Sequence, residues 1–252
     1  MTSIIGKVGL VTDDCAASGE FLDVLSRDAW ETLREPLAAA VCGMDPSAGP
    51  LGDLGAGSGR GTCLLAGLVP QGTVLAVEPS LVRRAVLVAR VVDDPSVQAR
   101  VTVVAAAAET ADLPDRLGGV LAMNMIGHLP PPERRRLWRR IADRLAPDAS
   151  VVLDVQPSSR AEAVPETDFA SVPIGCRCDR GSERAEPEGP ERIVWHMRYR
   201  VCDERGEAER ELTAAYHWHV ASPELIEGEL MPAGFAVEHG PYGLVRASRG
   251  GR

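Results

Sequence analysis

The hydrophobic positions divide the chain into a helical segment, a mixed segment and a mostly extended segment. Residues 18–43 carry apolar side chains at helical spacing and end in a glycine, which predicts one or two helices. From residue 51 to residue 156, short apolar runs alternate with amphipathic stretches, which predicts five strands separated by helices. This alternation is typical of a parallel sheet with helices on both faces.

The pattern changes after the fifth predicted strand. Residues 157–190 are rich in proline, glycine and charge, and we interpret them as an extended linker that contains loops. Residues 192–220 alternate apolar and polar side chains around the turn "DERGE", which predicts an antiparallel hairpin. "SPELIEGELMPAGF" begins with a serine N-cap before proline and glutamate, which predicts a helix, and "AVEHGPYGLVRAS" predicts one or two closing strands.

These elements predict four parts of the chain. They are an N-terminal helical lid (1–48), a ligand-binding core (49–156), a linker with a hairpin insertion (157–220), and a C-terminal helix and strand that complete the core sheet (221–252).

Composition narrows the classes of partner and compartment. The chain has 252 residues, with 27 basic and 36 acidic side chains and a net charge of −9, which disfavours nucleic acid and anionic membranes as general partners. No apolar run approaches the roughly 18 residues that a membrane-spanning helix needs. The N-terminal stretch has one lysine, a short apolar run and then acids, so we expect no signal peptide and a cytoplasmic protein.

The cysteines do not form a metal-binding pattern. Only two of the six are close in sequence, and ligands one residue apart are not the spacing of a zinc site. We therefore expect no metal and mostly structural free thiols, at Cys15, Cys42, Cys63, Cys176, Cys178 and Cys202.

A glycine-rich turn follows the first predicted strand, in "LGDLGAGSGRG" (51–61). Such a turn between a strand and a helix exposes backbone amides to a ligand. Its spacing is G-x-G-x-G, with Arg60 where a dinucleotide site has its third glycine, and Asp53 would repel a pyrophosphate but favour a cation. Glu78 ends the second strand and can accept two hydrogen bonds from a ribose diol. Together these residues indicate a cationic nucleoside, S-adenosylmethionine (SAM).

Over roughly residues 50–155 the sequence resembles the class I SAM-dependent methyltransferases. "DLGAGSGRG" is similar to the first motif of that family and "AVEPS" to its acidic second motif. The resemblance implies an α/β fold with a doubly wound, mostly parallel, seven-stranded Rossmann-like sheet, SAM as cofactor and S-adenosylhomocysteine as product. It also implies the cofactor-binding residues Asp53, Gly55, Ala56, Gly57, Gly59, Glu78, Pro79, Ala107, Ala108, Glu109 and Asn124.

The sequence departs from this family at one position. The family usually has an aspartate where this chain has Ala107, so recognition of the adenine amino group would pass to Glu109.

The C-terminal half resembles a narrower group, the aminosugar N,N-dimethyltransferases and glycine N-methyltransferase. The similarity lies in the hairpin and in the "IGHL" turn after the fourth strand. It implies that the inserted antiparallel strands roof the acceptor site, that the acceptor is a small molecule, typically in secondary metabolism, and that the hairpin can contribute to a homodimer.

Candidate acceptor-site residues follow from position and chemistry. We expect Asn124 and His128, after the fourth strand, to act at the transferred methyl group; His128 is either a general base or orienter, or a turn histidine. Trp30 either closes the site from the N-terminal lid or belongs to the core. Three strand histidines either line the pocket or pack within the sheet, without a carboxylate cluster that would favour a metal: His196, His217 and His219.

The sequence therefore favours a SAM-dependent methyltransferase that acts on a small molecule. Two alternatives stay open at this point. One is a methyltransferase-like cyclase or isomerase that holds SAM without consuming it, and the other is a non-catalytic SAM-binding scaffold.

Overall fold

The computed structural model describes residues 17–249. Two helices, α1 (Gly19–Leu25) and α2 (Arg27–Val41), precede the sheet, as the helical spacing predicts. Residues 1–16 of the predicted lid, together with Cys15, lie outside the described residues.

The core alternates strands and helices as the hydrophobic pattern predicts. Its elements are β1 (Leu51–Leu54), α3 (Arg60–Leu68), β2 (Val74–Val77), α4 (Leu81–Val92), the short α5 (Pro95–Gln98), β3 (Val101–Val104), β4 (Gly119–Ala122), α6 (Pro131–Ala142) and β5 (Ser150–Asp154). The chain then forms β6 (Val164–Ile174), β7 (Arg177–Pro187), β8 (Arg192–Cys202), β9 (Ala208–His219), α7 (Pro223–Leu230), β10 (Phe235–His239) and β11 (Leu244–Arg249).

Within the described residues the main sheet has seven strands in the order β10-β11-β5-β4-β1-β2-β3. Strands β1 to β5 are parallel, while β11 is antiparallel to both β5 and β10. This confirms the predicted doubly wound α/β fold. The strand order reverses between β1 and β4, and the carboxyl-terminal edge beside such a switch point is where ligands bind in open α/β sheets.

The predicted linker at 157–190 is wrong. Most of it forms β6 and β7, which join the predicted hairpin of β8 and β9 in a four-stranded antiparallel sheet of order β6-β7-β8-β9. The reason is that β6 is exposed along most of its length and β7 carries charged or small residues on both faces, so neither shows the apolar alternation of a half-buried strand. β7 is instead held in the sheet by its pairing with β8, whose sequence does alternate apolar and polar side chains.

Helix α6 attaches the C-terminal helix α7 to the core through a buried ion pair. Leu137, Trp138 and Ile141 form the inner face of α6 and are fully buried, although α6 contains the basic run "ERRRLWRR" (133–140). Arg134 of the same basic run is also fully buried, and its guanidinium donates to both carboxylate oxygens of Glu229 on α7 at 2.9 and 2.8 Å. The indole Nε1 of Trp138 donates to the same carboxylate at 3.2 Å.

Residues 17–249 contain neither a candidate membrane-spanning helix nor a candidate metal-binding cluster. No helix in this range is long and apolar enough to cross a membrane. In the same range, no group of three or more histidine, cysteine, aspartate or glutamate side chains is placed to hold a metal ion.

Candidate active site

The glycine turn between β1 and α3 is held in a conformation that L side chains rarely adopt. Gly55, Gly57 and Gly59 have φ angles of 73°, 57° and 87°. The amides of Gly55 and Ala56 both donate to the carbonyl of Val77 at the end of β2, at 2.9 Å each. The first two motifs are therefore joined by backbone hydrogen bonds at the edge of the sheet.

Two buried carboxylates lie beside this turn. Glu78 accepts hydrogen bonds from the amides of Gly57 at 2.8 Å and Ser80 at 2.7 Å, one on each oxygen. Asp53 accepts a 2.6 Å hydrogen bond from the Thr62 hydroxyl. Burial raises the pKa of Asp53 to about 7, the hydrogen bond from Thr62 opposes this, and the nearby charge of Glu78 adds to it. Two acids at one turn favour a cationic ligand and disfavour a phosphate.

The turn after β3 lies at the same edge, because β2 and β3 are parallel and in register. It contains Ala107, Ala108 and Glu109, and the carbonyl of Ala107 accepts hydrogen bonds from the amides of Thr110 and Ala111 at 3.1 and 2.8 Å. The guanidinium of Arg140 on α6 donates to the carbonyl oxygens of Ala108, Glu109 and Ala111. Arg140 therefore holds this turn against α6.

Asn124, directly after β4, is also held in a left-handed conformation, with a φ of 52°. Its amide donates to Asp154 Oδ1 at 2.6 Å, and its side-chain oxygen accepts a hydrogen bond from Gln156 Nε2. Gln156 Nε2 also donates to Asp154 Oδ2 at 2.9 Å. Burial raises the pKa of Asp154 above its usual value, although the hydrogen bonds from the Asn124 amide and the Gln156 side chain act to lower it. This network positions Asn124 at the switch point of the sheet.

A cavity of about 500 Å³ connects the glycine turn with Asn124, whereas Ala107, Ala108 and Glu109 of the turn after β3 are not among the residues that line it. The glycine turn and the end of β4 form its floor, α1 and α2 form one wall, and the four-stranded sheet forms the other. Six of the residues predicted from sequence line it, namely Trp30, Gly55, Ala56, Gly57, Asn124 and His128. Gly59 and Asp53 lie behind the turn, and Glu78 and Pro79 lie beside it at the end of β2.

Helix α1 is held over the glycine turn by one carboxylate. Asp23 accepts a hydrogen bond from the Ser58 hydroxyl at 2.6 Å and two from Arg90 at 2.9 and 2.8 Å, and Arg60 approaches it to 3.1 Å. Burial alone would raise the pKa of Asp23, but the hydrogen bonds from Ser58 and Arg90 and the charges of Arg90 and Arg60 lower it. The N-terminal helices thus cover the turn at the point where a ligand would enter.

The wall formed by the four-stranded sheet is aromatic. The ring of His128 lies 4.9 Å from that of Trp218, edge to face, and 5.7 Å from that of Tyr216. A Cβ on Gly127 would lie 1.9 Å from Trp218 Cε2, so only glycine lets the turn after β4 pack this closely against β9.

The three strand histidines do not line this cavity. His217 is exposed on the outer face of β9 and lies 2.8 Å from Glu188, and His196 borders a second depression on the same outer face. His219 lies at the end of β9, where burial lowers its pKa. Strand alternation correctly places His217 and His219 on one face of β9 and Tyr216 and Trp218 on the other. The cavity lies on the face of Tyr216 and Trp218. Tyrosine and tryptophan side chains bury more apolar surface than histidine, which favours that face as the inner one.

Sequence reasoning also missed Asp23 and Glu183. Asp23 has no local signal, because only the fold brings it against Ser58 and Arg90. Glu183 could have been found: with residues 177–187 read as a strand, period-two alternation places it on the same face as Gly181 and Ala185.

Comparison with known proteins agrees with this geometry. Residues 52–148 match the family model described as a methyltransferase domain. No curated protein matches the chain in sequence.

Several solved structures share the fold over nearly the whole chain. DesVI of Streptomyces venezuelae has a TM-score of 0.73 at 18% identity, covering 91% of this chain and 96% of that one. CalS10, a SAM-bound amino pentose methyltransferase from Micromonospora echinaspora involved in calicheamicin biosynthesis, has a TM-score of 0.66 at 20% identity, covering 97% and 99%. The sugar N-methyltransferase KedS8 from Streptoalloteichus sp. ATCC 53650 has a TM-score of 0.65 at 20% identity, covering 99% and 97%.

At these identities the solved structures establish the fold, and the family model independently identifies the segment that holds the glycine turn. The sequence resemblance is confirmed to this extent: residues 52–148 match a methyltransferase domain, and the chain shares the fold of solved methyltransferases.

Proposed function

We propose that this protein transfers the methyl group of SAM to the nitrogen of a small amine-bearing metabolite, such as an aminosugar of secondary metabolism. The observation that carries the proposal is one cavity that runs from an acid-flanked glycine turn to an aromatic wall. The described functions of CalS10 and KedS8, an amino pentose methyltransferase and a sugar N-methyltransferase, support an amine acceptor.

The cofactor would occupy the end of the cavity beside the turn. Asp53 and Glu78 favour the cationic sulfonium and amino acid portion, and each Glu78 oxygen has a second lone pair available for a ribose hydroxyl. The turn after β3, with Ala107 to Glu109, would lie along the adenine. Asn124, fixed by Asp154 and Gln156, would stand where the methyl group meets its acceptor.

The acceptor would lie against the sheet wall. A sulfonium supplies an activated methyl group, so the protein's main task is to orient the nucleophile behind it and to exclude water, and orientation can supply on the order of 7–11 kcal/mol. Trp30 from the lid and Trp218 from β9 enclose the cavity on opposite sides. His128, packed against Trp218, would orient the acceptor from the turn after β4.

Methyl-labelled SAM offered with a panel of aminosugars, and with sugars that carry hydroxyls in place of the amines, tests the proposal. We expect label to move to aminosugars only. Transfer to no acceptor would contradict a methyltransferase. SAM that persists through complete turnover of another substrate would indicate the cyclase or isomerase, and failure to bind SAM or S-adenosylhomocysteine would indicate a scaffold.

Asp53 should make SAM binding depend on pH. Because its pKa is about 7 in the unliganded protein, a cationic ligand must displace a proton at lower pH. If Asp53 stays ionised in the complex, affinity should rise about tenfold from pH 6 to pH 8 and level off above that. Calorimetric titrations across this range, in buffers of different ionisation enthalpy, measure both the affinity and the released proton.

Asp53→Asn is the matched control for this dependence. The folded-state pKa of Asp53 lies above its unfolded value, so its contribution to stability is present at low pH and is lost as pH rises toward 7. The variant should therefore be more stable than the wild type at pH 8, yet bind SAM more weakly and without the pH dependence. A wild-type affinity that does not change with pH would place the cation elsewhere.

A further inference from the structure

Glu183 interrupts an otherwise apolar wall of the cavity. The described residues of the four-stranded sheet that line the cavity are Phe169, Ala170, Glu183, Tyr216 and Trp218, and among them Glu183 alone is charged. On β7 it lies between Gly181 and Ala185 of the same face, and its partner on β8 is the buried Met197. The carboxylate of Glu183 therefore faces the cavity and has hydrophobic neighbours.

This carboxylate has no partner within residues 17–249. Two further acids, Asp23 and Asp28, line the cavity from the N-terminal helices, on the side opposite the four-stranded sheet. Asp23 is paired with Arg60 and Arg90, whereas Glu183 makes no hydrogen bond or ion pair with any described residue. On the outer face of the same strand, Glu186 is paired with Arg184. A half-buried charge without a partner is unfavourable in the free protein, and a ligand that carries the opposite charge removes that penalty.

We propose that Glu183 binds the protonated amine of the acceptor and takes one of its protons. The inference rests on the proposed function and names the residue that selects an amine. The ammonium gives one proton to the carboxylate, which leaves a lone pair on nitrogen. That lone pair forms the bond to the methyl carbon as the sulfur–carbon bond breaks. The electron pair of the broken bond stays on sulfur, which becomes a neutral thioether. The proton passes from Glu183 to solvent when the products leave.

Two further features agree with this role. Burial raises the pKa of Glu183, which makes it a better proton acceptor than a solvated glutamate. Tyr216 and Trp218 on the same wall present aromatic rings, which attract cations. His128, held edge to face against Trp218, is then left to orient the acceptor.

Glu183→Gln preserves the shape of the side chain and removes its charge. We expect the variant to lower kcat/KM for aminosugars roughly 10- to 100-fold, because a charge-assisted hydrogen bond is lost. Binding of S-adenosylhomocysteine should not change, and the melting temperature should not fall, because the removed charge is unpaired. Glu186→Gln, on the outer face of the same strand, is the matched control and should behave as the wild type.

A binding experiment separates this inference from the proposed function. Hexosamines, each paired with the hexose that carries a hydroxyl at the same carbon, are titrated into the protein saturated with S-adenosylhomocysteine. The wild type and Glu183→Asp should prefer the hexosamines, while Glu183→Gln should not. Equal binding of both sugars by the wild type, or a preference that survives in Glu183→Gln, would overturn the role of Glu183, whether or not methyl transfer is observed.

Discussion

Glu229→Ala should lower the free energy of unfolding by about 3–5 kcal/mol, because it leaves the fully buried guanidinium of Arg134 without its counter-ion. The same substitution removes the acceptor of the Trp138 indole N–H. Since α7 also packs against α6 through Ile226 and Leu230 in the same hydrophobic cluster, the loss should appear as one cooperative transition at lower denaturant concentration. Chemical denaturation followed by circular dichroism measures it.

Two variants define the cause of this loss. Glu227 lies on the same helix as Glu229 and forms an exposed ion pair with His239 of β10. Glu227→Ala removes this pair and should cost less than about 1 kcal/mol. Arg134→Met combined with Glu229→Leu replaces both charges with apolar groups and should recover much of the stability. An equal loss in Glu227→Ala and Glu229→Ala would show that the buried pair is not what holds α7.

The parallel core could be predicted because its determinants are local. Each of β1, β2 and β5 is a short apolar run next to a turn signal, and the glycine turn with Glu78 predicts which edge of the sheet would bind the cofactor. The backbone hydrogen bonds from Gly55 and Ala56 to Val77 then join the two motifs without the help of any other segment.

The acceptor side could not be predicted in the same way because it depends on pairing between distant segments. β6 and β7 have the composition of a linker; β7 forms a strand by pairing with β8, and β6 by pairing with β7. That pairing brings Glu183 to the cavity and determines which face of β9 is inside, so Tyr216 and Trp218 replace the predicted histidines. The lid contact made by Asp23 likewise depends on the fold, since Ser58 and Arg90 are far from it in sequence.

Glu78→Ala should weaken SAM binding about 10- to 100-fold, because charge-assisted hydrogen bonds to the ribose, worth about 1.5–3 kcal/mol, are lost. Glu78 also accepts the amides of Gly57 and Ser80, so alanine additionally leaves two backbone donors of the glycine turn unpaired. Glu78→Gln retains a side-chain oxygen for one of these amides and should fall between the wild type and alanine. Calorimetric titration with SAM gives the three dissociation constants.

A cofactor analogue without the ribose 2′-hydroxyl distinguishes a direct contact from a disturbed turn. If Glu78 binds the diol, the wild type should bind the analogue more weakly than SAM, and Glu78→Ala should bind the two with similar affinity, because the interaction between residue and hydroxyl is already absent. If the turn alone is disturbed, Glu78→Ala should still discriminate between the two ligands. An unchanged SAM dissociation constant in a folded Glu78→Ala protein would contradict the placement of the ribose at the end of β2, and with it the assignment of the cavity floor to the cofactor.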